Sequence, residues 1–156
     1  SAAGMAAPQW GHSRRVFIWR REYLQRSSQP KLAESVSGSP DFVVAVNPSY
    51  AALPPGADAE TIGDGGGGGD PEVEAVEGCF SVPGMRGVVR RPHRISASFS
   101  SCDGERHTVE LCGWAGRVFQ HECDHTEGRL YDDEEAGRCR VKLTVAEFEA
   151  LQKSGT

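Results

Sequence analysis

The chain of 156 residues has no long apolar run, no cluster of basic residues and no paired-cysteine motif. No apolar stretch approaches the roughly 20 residues that a helix needs to cross a bilayer, and no secretory signal is recognisable. The basic runs end at two residues, as in Arg14-Arg15, and the formal net charge is −5. Because phosphate binding needs a concentrated positive surface, nucleic acid is excluded as the main ligand.

The five cysteines have an odd count and irregular spacing, and no two of them form a C-x-x-C pair. This pattern argues against both a disulfide framework and a closed structural zinc site, and reduced thiols are expected. At least one thiol remains available as a metal ligand. The cysteines are Cys79, Cys102, Cys112, Cys123 and Cys139.

The length suits a single domain spanning residues 1–156. Two stretches rich in Gly, Pro or Ser, about 27–41 and 53–71, are predicted to be flexible loops or inserts. Five consecutive glycines, Gly65 to Gly69, lie in the second stretch and favour no regular element. The chain opens on Ser-Ala-Ala-Gly, so we expect a further segment, such as a targeting sequence, to precede it.

The sequence His121-Glu122-Cys123-Asp124-His125 contains the pattern H-E-x-x-H. Two histidines four positions apart lie one above the other on a helix, so both imidazoles can bind one metal ion. The intervening glutamate points about 100° round the helix, where it can act as a base on a metal-activated water without being a ligand. Gly113 and Gly128 suit the two ends of this helix.

The remaining elements predict an α+β fold of mostly antiparallel strands around the histidine helix. Alternation of Ile95, Ala97 and Phe99 predicts a strand with one buried face, and Asp103-Gly104 predicts a hairpin. Further strands are expected at 15–19, 42–46 (buried on both faces), 108–111 and 141–143. Thr144 and Glu147 form a capping box for a last helix, and residues 130–135 are expected to be an exposed turn.

A catalytic metal site usually has three protein ligands, so a third donor is expected. The candidates are Cys79, Cys112, His93, His107 and the acidic residues. Cys79 is favoured because it lies beside Gly78 and the turn-like sequence 81–84, where the backbone can bend round an ion. We interpret the other four cysteines as small buried hydrophobic residues.

Three ordered motifs, Gly4–Gln9, Glu77–Ser81 and Gln120–His125, resemble the signature motifs of the peptide deformylases. The flanking Gly113–Arg117 and Gly128–Tyr131 resemble the organellar and plant-type members, and the similarity extends to about Asp133. The resemblance implies removal of the formyl group from the N-terminal formyl-methionine of nascent polypeptides.

The resemblance also implies roles for particular residues. Cys79, His121 and His125 would bind one divalent metal ion, Fe(II) in the native protein, with Zn(II), Ni(II) or Co(II) as replacements. Glu122 would take a proton from the metal-bound water and pass it to the leaving amine. The side-chain amide of Gln9 and the backbone N–H of Phe80 would stabilise the oxyanion; these two residues complete the proposed catalytic set.

The methionine side chain needs an apolar pocket, for which Trp114 and Val118 on the histidine helix are the local candidates. Gly4 and Met5 are expected to close the pocket wall. Outside the pocket, a pair between Glu77 and Arg91 is expected to brace the Cys79 loop.

The expected partners are formyl-methionyl nascent peptides, with transient contact to the ribosome. The organellar resemblance places the protein in the mitochondrial or another organelle matrix, with a bacterial-type cytoplasm as the alternative. Phe80 and Thr126 stand where the family commonly has Leu, and Ala2 where it commonly has Gly.

Two other functions are kept open. A metallopeptidase that cuts internal peptide bonds would need a downstream His or Glu ligand instead of Cys79. A catalytically silent relative would bind peptide or metal without turnover, although Glu122 and Gln9 are both intact.

Overall fold

The computed structural model describes residues 3–54, 72–133 and 138–154. Its strands are β1 (Gly4–Ala6), β2 (Val16–Arg20), β3 (Phe42–Ala52), β4 (Glu72–Cys79), β5 (Val82–Pro92), β6 (Arg94–Ser100), β7 (Arg106–Cys112) and β8 (Cys139–Thr144). Its α-helices are α1 (Arg21–Gln25), α2 (Leu32–Ser35), α3 (Gly113–Thr126) and α4 (Val145–Lys153), and a 3₁₀-helix covers Ala7–Trp10.

The strands form two antiparallel sheets. The larger sheet has the order β1-β2-β3-β6-β7, and the smaller has the order β4-β5-β8. This arrangement, with α3 against it, confirms the predicted α+β class. Among the described residues, no helix is both long and apolar enough to cross a membrane.

Helix α3 packs its apolar face on the larger sheet. The Phe119 ring meets those of Phe17 and Trp19 edge-to-face, at centroid distances of 5.1 and 5.2 Å. These rings are fully buried, and edge-to-face aromatic pairs add to the free energy gained by burial alone. The opposite face of α3, which carries the two histidines, is thereby directed toward the smaller sheet.

Several predicted elements agree with the structure. Ile95, Ala97 and Phe99 are all completely buried on β6, which pairs with β7 through the predicted hairpin. The side chain of Thr144 accepts a hydrogen bond from the backbone N–H of Glu147, whose carboxylate in turn accepts one from the Thr144 N–H, forming the predicted capping box.

The strand predicted at 42–46 is longer than expected and is not equally buried on its two faces. Val43 and Ala45 are completely buried, whereas Phe42, Val44 and Val46 are partly exposed. The strand continues to Ala52, and its pairing with β6 shifts register between Val46 and Ser49, next to Asn47 with its φ of 48°.

Loop predictions also need correction. The stretch 27–41 contains the helical turn α2, because Ala33 and Val36 pack into the core. In the stretch 53–71, residues 55–71 lie outside the described residues.

Tyr131 is buried, so the predicted exposed turn at 130–135 is wrong at that position. Of the four cysteines expected to be buried, only Cys123 is fully buried: Cys102, in the turn between β6 and β7, is exposed, and Cys112 and Cys139 are partly buried.

Candidate metal centre

Three potential metal ligands converge from two elements. Cys79 ends β4, and His121 and His125 lie one turn apart on α3. The Nε2 atom of His125 lies 3.1 Å from the Sγ of Cys79 and 3.1 Å from the Nε2 of His121. The three ligand atoms lie within 4.8 Å of one another, and no other such group of three occurs in the described part of the chain. One sulfur and two imidazole nitrogens are a donor set that suits Fe(II) or Zn(II).

The far nitrogen of each imidazole has its own partner. Nδ1 of His121 lies 2.8 Å from Oε2 of Glu77, and Nδ1 of His125 lies 3.2 Å from the carbonyl oxygen of Arg129. Both partners can accept a hydrogen bond from Nδ1–H, so in the neutral tautomer that binds an ion each Nε2 would be available as the donor atom. The three residues therefore fit a metal ion: their donor atoms are of the right type, they converge on one point, and the imidazoles can adopt the tautomer that binds metal.

The Cys79 side chain is held in the form that binds metals. Burial alone would raise its pKa, but hydrogen bonds with His121 and His125 outweigh burial and lower the pKa of Cys79 to about 5. The backbone N–H of Ser81 also points at Sγ, at 3.4 Å. A thiolate rather than a thiol is therefore favoured at neutral pH.

A buried network of charges supports the histidines. Arg91 donates to both oxygens of Glu77, at 2.7 and 3.0 Å, and to Asp124 at 2.7 Å. Arg117 adds a further bond to Glu77 at 2.7 Å. Burial would raise the pKa of Glu77, but its bonds with His121 and Arg91 hold it far below the usual range.

Sequence reasoning placed Glu77 beside Arg91 but missed Arg117 and Asp124. Arg117 stands four positions before His121, and Asp124 directly precedes His125. The available signal was the position of these two charged residues beside the predicted ligands on the helix. Because buried charges need partners, an ion-pair network around the histidines could have been expected.

Glu122 is buried beside the ligands, and its Oε2 has no hydrogen-bond partner within the described residues. Burial raises the pKa of Glu122 to about 7. The backbone of Gly4 closes over this carboxylate: a Cβ atom at Gly4 would lie 2.7 Å from Oε1 of Glu122. A carboxylate in this setting can exchange a proton near neutral pH.

Gln9 lies on the 3₁₀-helix with its amide fixed at both ends. Its Oε1 accepts from the Ala6 backbone N–H at 2.9 Å, and its Nε2 donates to Ser81 Oγ at 3.2 Å and Cys79 Sγ at 3.4 Å. The N–H groups of Gln9 therefore point into the site. Phe80 follows Cys79 directly, and its side chain is 72% exposed at the rim.

An open cavity of about 780 Å³ lies in front of these residues. Of the residues assigned to the methionine pocket, Gly4, Trp114 and Val118 line this cavity. Val145 and Phe148 from α4, which sequence reasoning had not placed there, line it as well. Met5 is not among the lining residues, contrary to the prediction. It alternates with Gly4 along β1, and its sulfur accepts a hydrogen bond from the Trp10 indole instead.

Comparison with known proteins agrees with this geometry. The family model described as polypeptide deformylase matches residues 1–140. Peptide deformylase 3 of Streptomyces avermitilis is 34% identical over 132 residues, which cover 83% of this chain and 50% of the relative. Peptide deformylase 1A, chloroplastic/mitochondrial, of Arabidopsis thaliana is 30% identical, covering 83% of this chain and 44% of the relative.

A solved structure is similar as well. The class I type b peptide deformylase of Acinetobacter baumannii, with Met-Ala-Ser bound, has a TM-score of 0.58 and 28% identity, covering 83% of this chain and 68% of that one. The chain thus spans about half the length of the two curated relatives.

Proposed function

Because the chain belongs to the polypeptide deformylase family, we propose that it is a metal-dependent hydrolase that removes the N-formyl group from formyl-methionine of nascent polypeptides. The strongest support for this proposal is the geometry of the candidate metal centre. The Cys79, His121 and His125 donor atoms converge beside the buried carboxylate of Glu122, at the floor of an open cavity.

Cys79, His121 and His125 would hold the divalent ion, with Fe(II) as the native metal and Zn(II), Ni(II) or Co(II) as replacements. When bound, such an ion makes a water molecule more acidic and polarises the formyl carbonyl. Glu77 and the Arg129 carbonyl keep the two imidazoles in the tautomer that binds metal.

Glu122 is proposed as the general base and acid. It takes a proton from the attacking water as the new C–O bond forms at the formyl carbon. It then gives a proton to the departing amine nitrogen as the C–N bond breaks, leaving formate and a free N-terminus. Its burial and unpartnered Oε2 support this role, because the carboxylate has no competing hydrogen bond in the described structure.

The oxyanion that forms on the formyl oxygen needs donors already in place. The Gln9 amide is held by Ala6 and Ser81 with its N–H groups beside Cys79. The backbone N–H of Phe80, directly after Cys79 in the chain, would be the second donor. Such donors lower a barrier most when they are already close to the developing charge, and Gln9 would exchange its bond to Ser81 or Cys79 for one to the oxyanion.

The cavity would take the methionine side chain between Trp114 and Val118, beneath the Gly4 backbone. That Met-Ala-Ser is bound in the Acinetobacter baumannii structure supports a methionyl peptide as the substrate here. The cavity is larger than one methionine needs, so later residues of the peptide would extend toward α4.

The partners would be nascent formyl-methionyl peptides, with transient ribosome contact, and residues 1–156 would act as one catalytic domain. The similarity to the chloroplastic/mitochondrial relative from Arabidopsis thaliana supports an organelle matrix. Similarity to the Streptomyces avermitilis protein is compatible with a bacterial-type cytoplasm instead.

The proposal is tested by anaerobic deformylation of formyl-Met-Ala-Ser with the Fe(II)-loaded protein. Turnover that disappears in Glu122→Ala, while metal content is unchanged, would support a hydrolase with Glu122 as the base. Absence of turnover in the metal-loaded wild type would identify a silent relative instead. Retention of metal and of cleavage at internal peptide bonds in Cys79→Ala would identify a metallopeptidase.

A further inference from the structure

Tyr131 lies against one of the proposed metal ligands. Its side chain is buried, and its ring is nearly parallel to the His121 imidazole, with an interplanar angle of 22° and a centroid distance of 6.3 Å. Tyr131 follows α3 by only a few residues, so the chain turns back to place this ring beside the helix that carries the histidine.

The strand β5 leaves room for this ring. A Cβ atom at Gly87 would lie 2.6 Å from Cε2 and 2.9 Å from Cδ2 of Tyr131. No real Cβ atom tolerates such a contact, so only glycine at position 87 lets the ring take this position. The ring therefore packs against the backbone of β5, with its plane nearly parallel to the His121 imidazole and the two ring centroids 6.3 Å apart.

The aromatic ring rather than the hydroxyl makes this contact. The Tyr131 hydroxyl is buried and has no hydrogen-bond partner in residues 3–54, 72–133 and 138–154. It therefore contributes no bond that would hold the side chain in place, and a phenylalanine ring would fill the same space.

The other contacts of His121 involve its two ring nitrogens. Nδ1 lies 2.8 Å from Oε2 of Glu77, and Nε2 lies 3.1 Å from Nε2 of His125. The His125 ring meets His121 edge-on, at 86°, and is itself a proposed ligand. The Tyr131 ring, restricted by Gly87 and nearly parallel to the imidazole, is placed to oppose tilting of the imidazole plane.

We propose that Tyr131 is a positioning residue, which fixes the plane of His121 so that Nε2 points at the ion. This inference rests on the metal centre of the proposed function. Tyr131 would bind neither the ion nor the substrate, and it would act only through His121.

The experiment compares Co(II)-loaded wild type with Tyr131→Leu, Tyr131→Phe and Tyr23→Leu. Co(II) absorption in the visible range reports ligand geometry, and the rate of Co(II) release to a chelator reports how firmly the ligands hold it. Tyr23 is the matched control, since it is a buried tyrosine packed on Trp19 at 6.1 Å in the main core.

Tyr131→Leu is expected to shift the Co(II) spectrum and to release the ion about 10-fold faster, the low end of the effect of losing a residue that orients a ligand. Tyr131→Phe keeps the ring and should restore both readouts. Tyr23→Leu should lower the melting temperature without shifting the spectrum.

A folded Tyr131→Leu protein with the wild-type spectrum and release rate would overturn the inference, leaving Tyr131 as a packing residue. Gly87→Ala gives a second test, because its methyl group would lie 2.6 Å from the Tyr131 ring and 2.9 Å from Cys139 Sγ and so displaces the ring while keeping Tyr131. A wild-type spectrum in that variant would overturn the inference too. A wild type that binds no Co(II) would overturn the proposed metal centre itself, and this inference with it.

Discussion

Arg117 donates a hydrogen bond to Glu77 at 2.7 Å, although the two residues are 40 positions apart in the chain. Arg117 lies one helical turn before His121, and Glu77 accepts from both of these residues as well as from Arg91. Helix α3 is thus attached to β4 at two successive turns. The carboxylate that orients the proposed ligand is itself held by two guanidinium groups.

Replacing Arg117 with Met is expected to reduce the free energy of unfolding by about 3 kcal/mol, since it leaves part of the buried charge of Glu77 uncompensated. It also removes bonds to the carbonyl oxygens of Val73 and Val89. Urea unfolding monitored by tryptophan fluorescence measures the change. Arg117→Lys should recover only part of it, because Lys cannot reproduce the forked contacts. A loss below about 0.5 kcal/mol, the range of ordinary surface substitutions, would contradict this account.

The Glu77–Arg91 pair should show strong coupling. In a double-mutant cycle with Glu77→Gln and Arg91→Met, we expect a coupling free energy of about 2 kcal/mol, because the two groups are buried and share two hydrogen bonds. Unfolding free energies of the four proteins give this value directly. Coupling near zero would show that the pair does not brace the Cys79 loop.

Gln9→Ala is expected to lower kcat by roughly 100-fold or more, as for loss of one oxyanion donor. Metal content should remain that of the wild type, since Gln9 is not a ligand. Gln29→Ala provides the comparison: that amide donates to the Thr108 carbonyl, at an exposed position on another part of the surface. Equal rates for Gln9→Ala and Gln29→Ala would remove Gln9 from the proposed mechanism.

Gly4→Ala should lower kcat by at least about 10-fold, equivalent to about 1.4 kcal/mol of barrier, because the added methyl displaces the Glu122 carboxylate. The backbone at Gly4 is not in the left-handed region, so alanine is compatible with its conformation. Steady-state kinetics and thermal unfolding together separate the effects. A drop in melting temperature with unchanged kcat would mean that Glu122 adapts to the methyl group.

Phe148→Ala is expected to raise the KM of formyl-Met-Ala-Ser about 10-fold while leaving kcat nearly unchanged, because α4 lines the cavity away from the reacting atoms. Leu151→Ala is the matched control on the same helix. Leu151 is 47% exposed and does not line the cavity. Similar KM values for the two variants would show that α4 does not contact the peptide.

The sequence predicted best those features that depend only on residues close to one another in the chain. The i, i+4 spacing of His121 and His125 predicts a shared helical face, and Thr144 with Glu147 predicts a capped helix. Alternation in β6 predicts its buried face. These features depend on the geometry of one element, which neighbouring residues determine.

Other features were predicted incompletely because they depend on contacts between elements. Cys79 was favoured from its local turn, and its convergence with the two histidines required β4 to lie beside α3. Met5 was assigned to the pocket, whereas the alternation of β1 makes it a neighbour of Trp10. Tyr131 was assigned to an exposed turn, although Gly87 on β5 leaves a space that the ring fills.

The sequence by itself therefore determined the α+β class, the histidine helix, the identity of the candidate ligands and the resemblance to the deformylases. Only the tertiary structure decided where Arg117, Tyr131 and Phe148 lie relative to the candidate site. The physical reason is that spacing along a chain fixes which way neighbouring side chains point. Burial and charge pairing, in contrast, depend on which distant segments the packed sheets bring together.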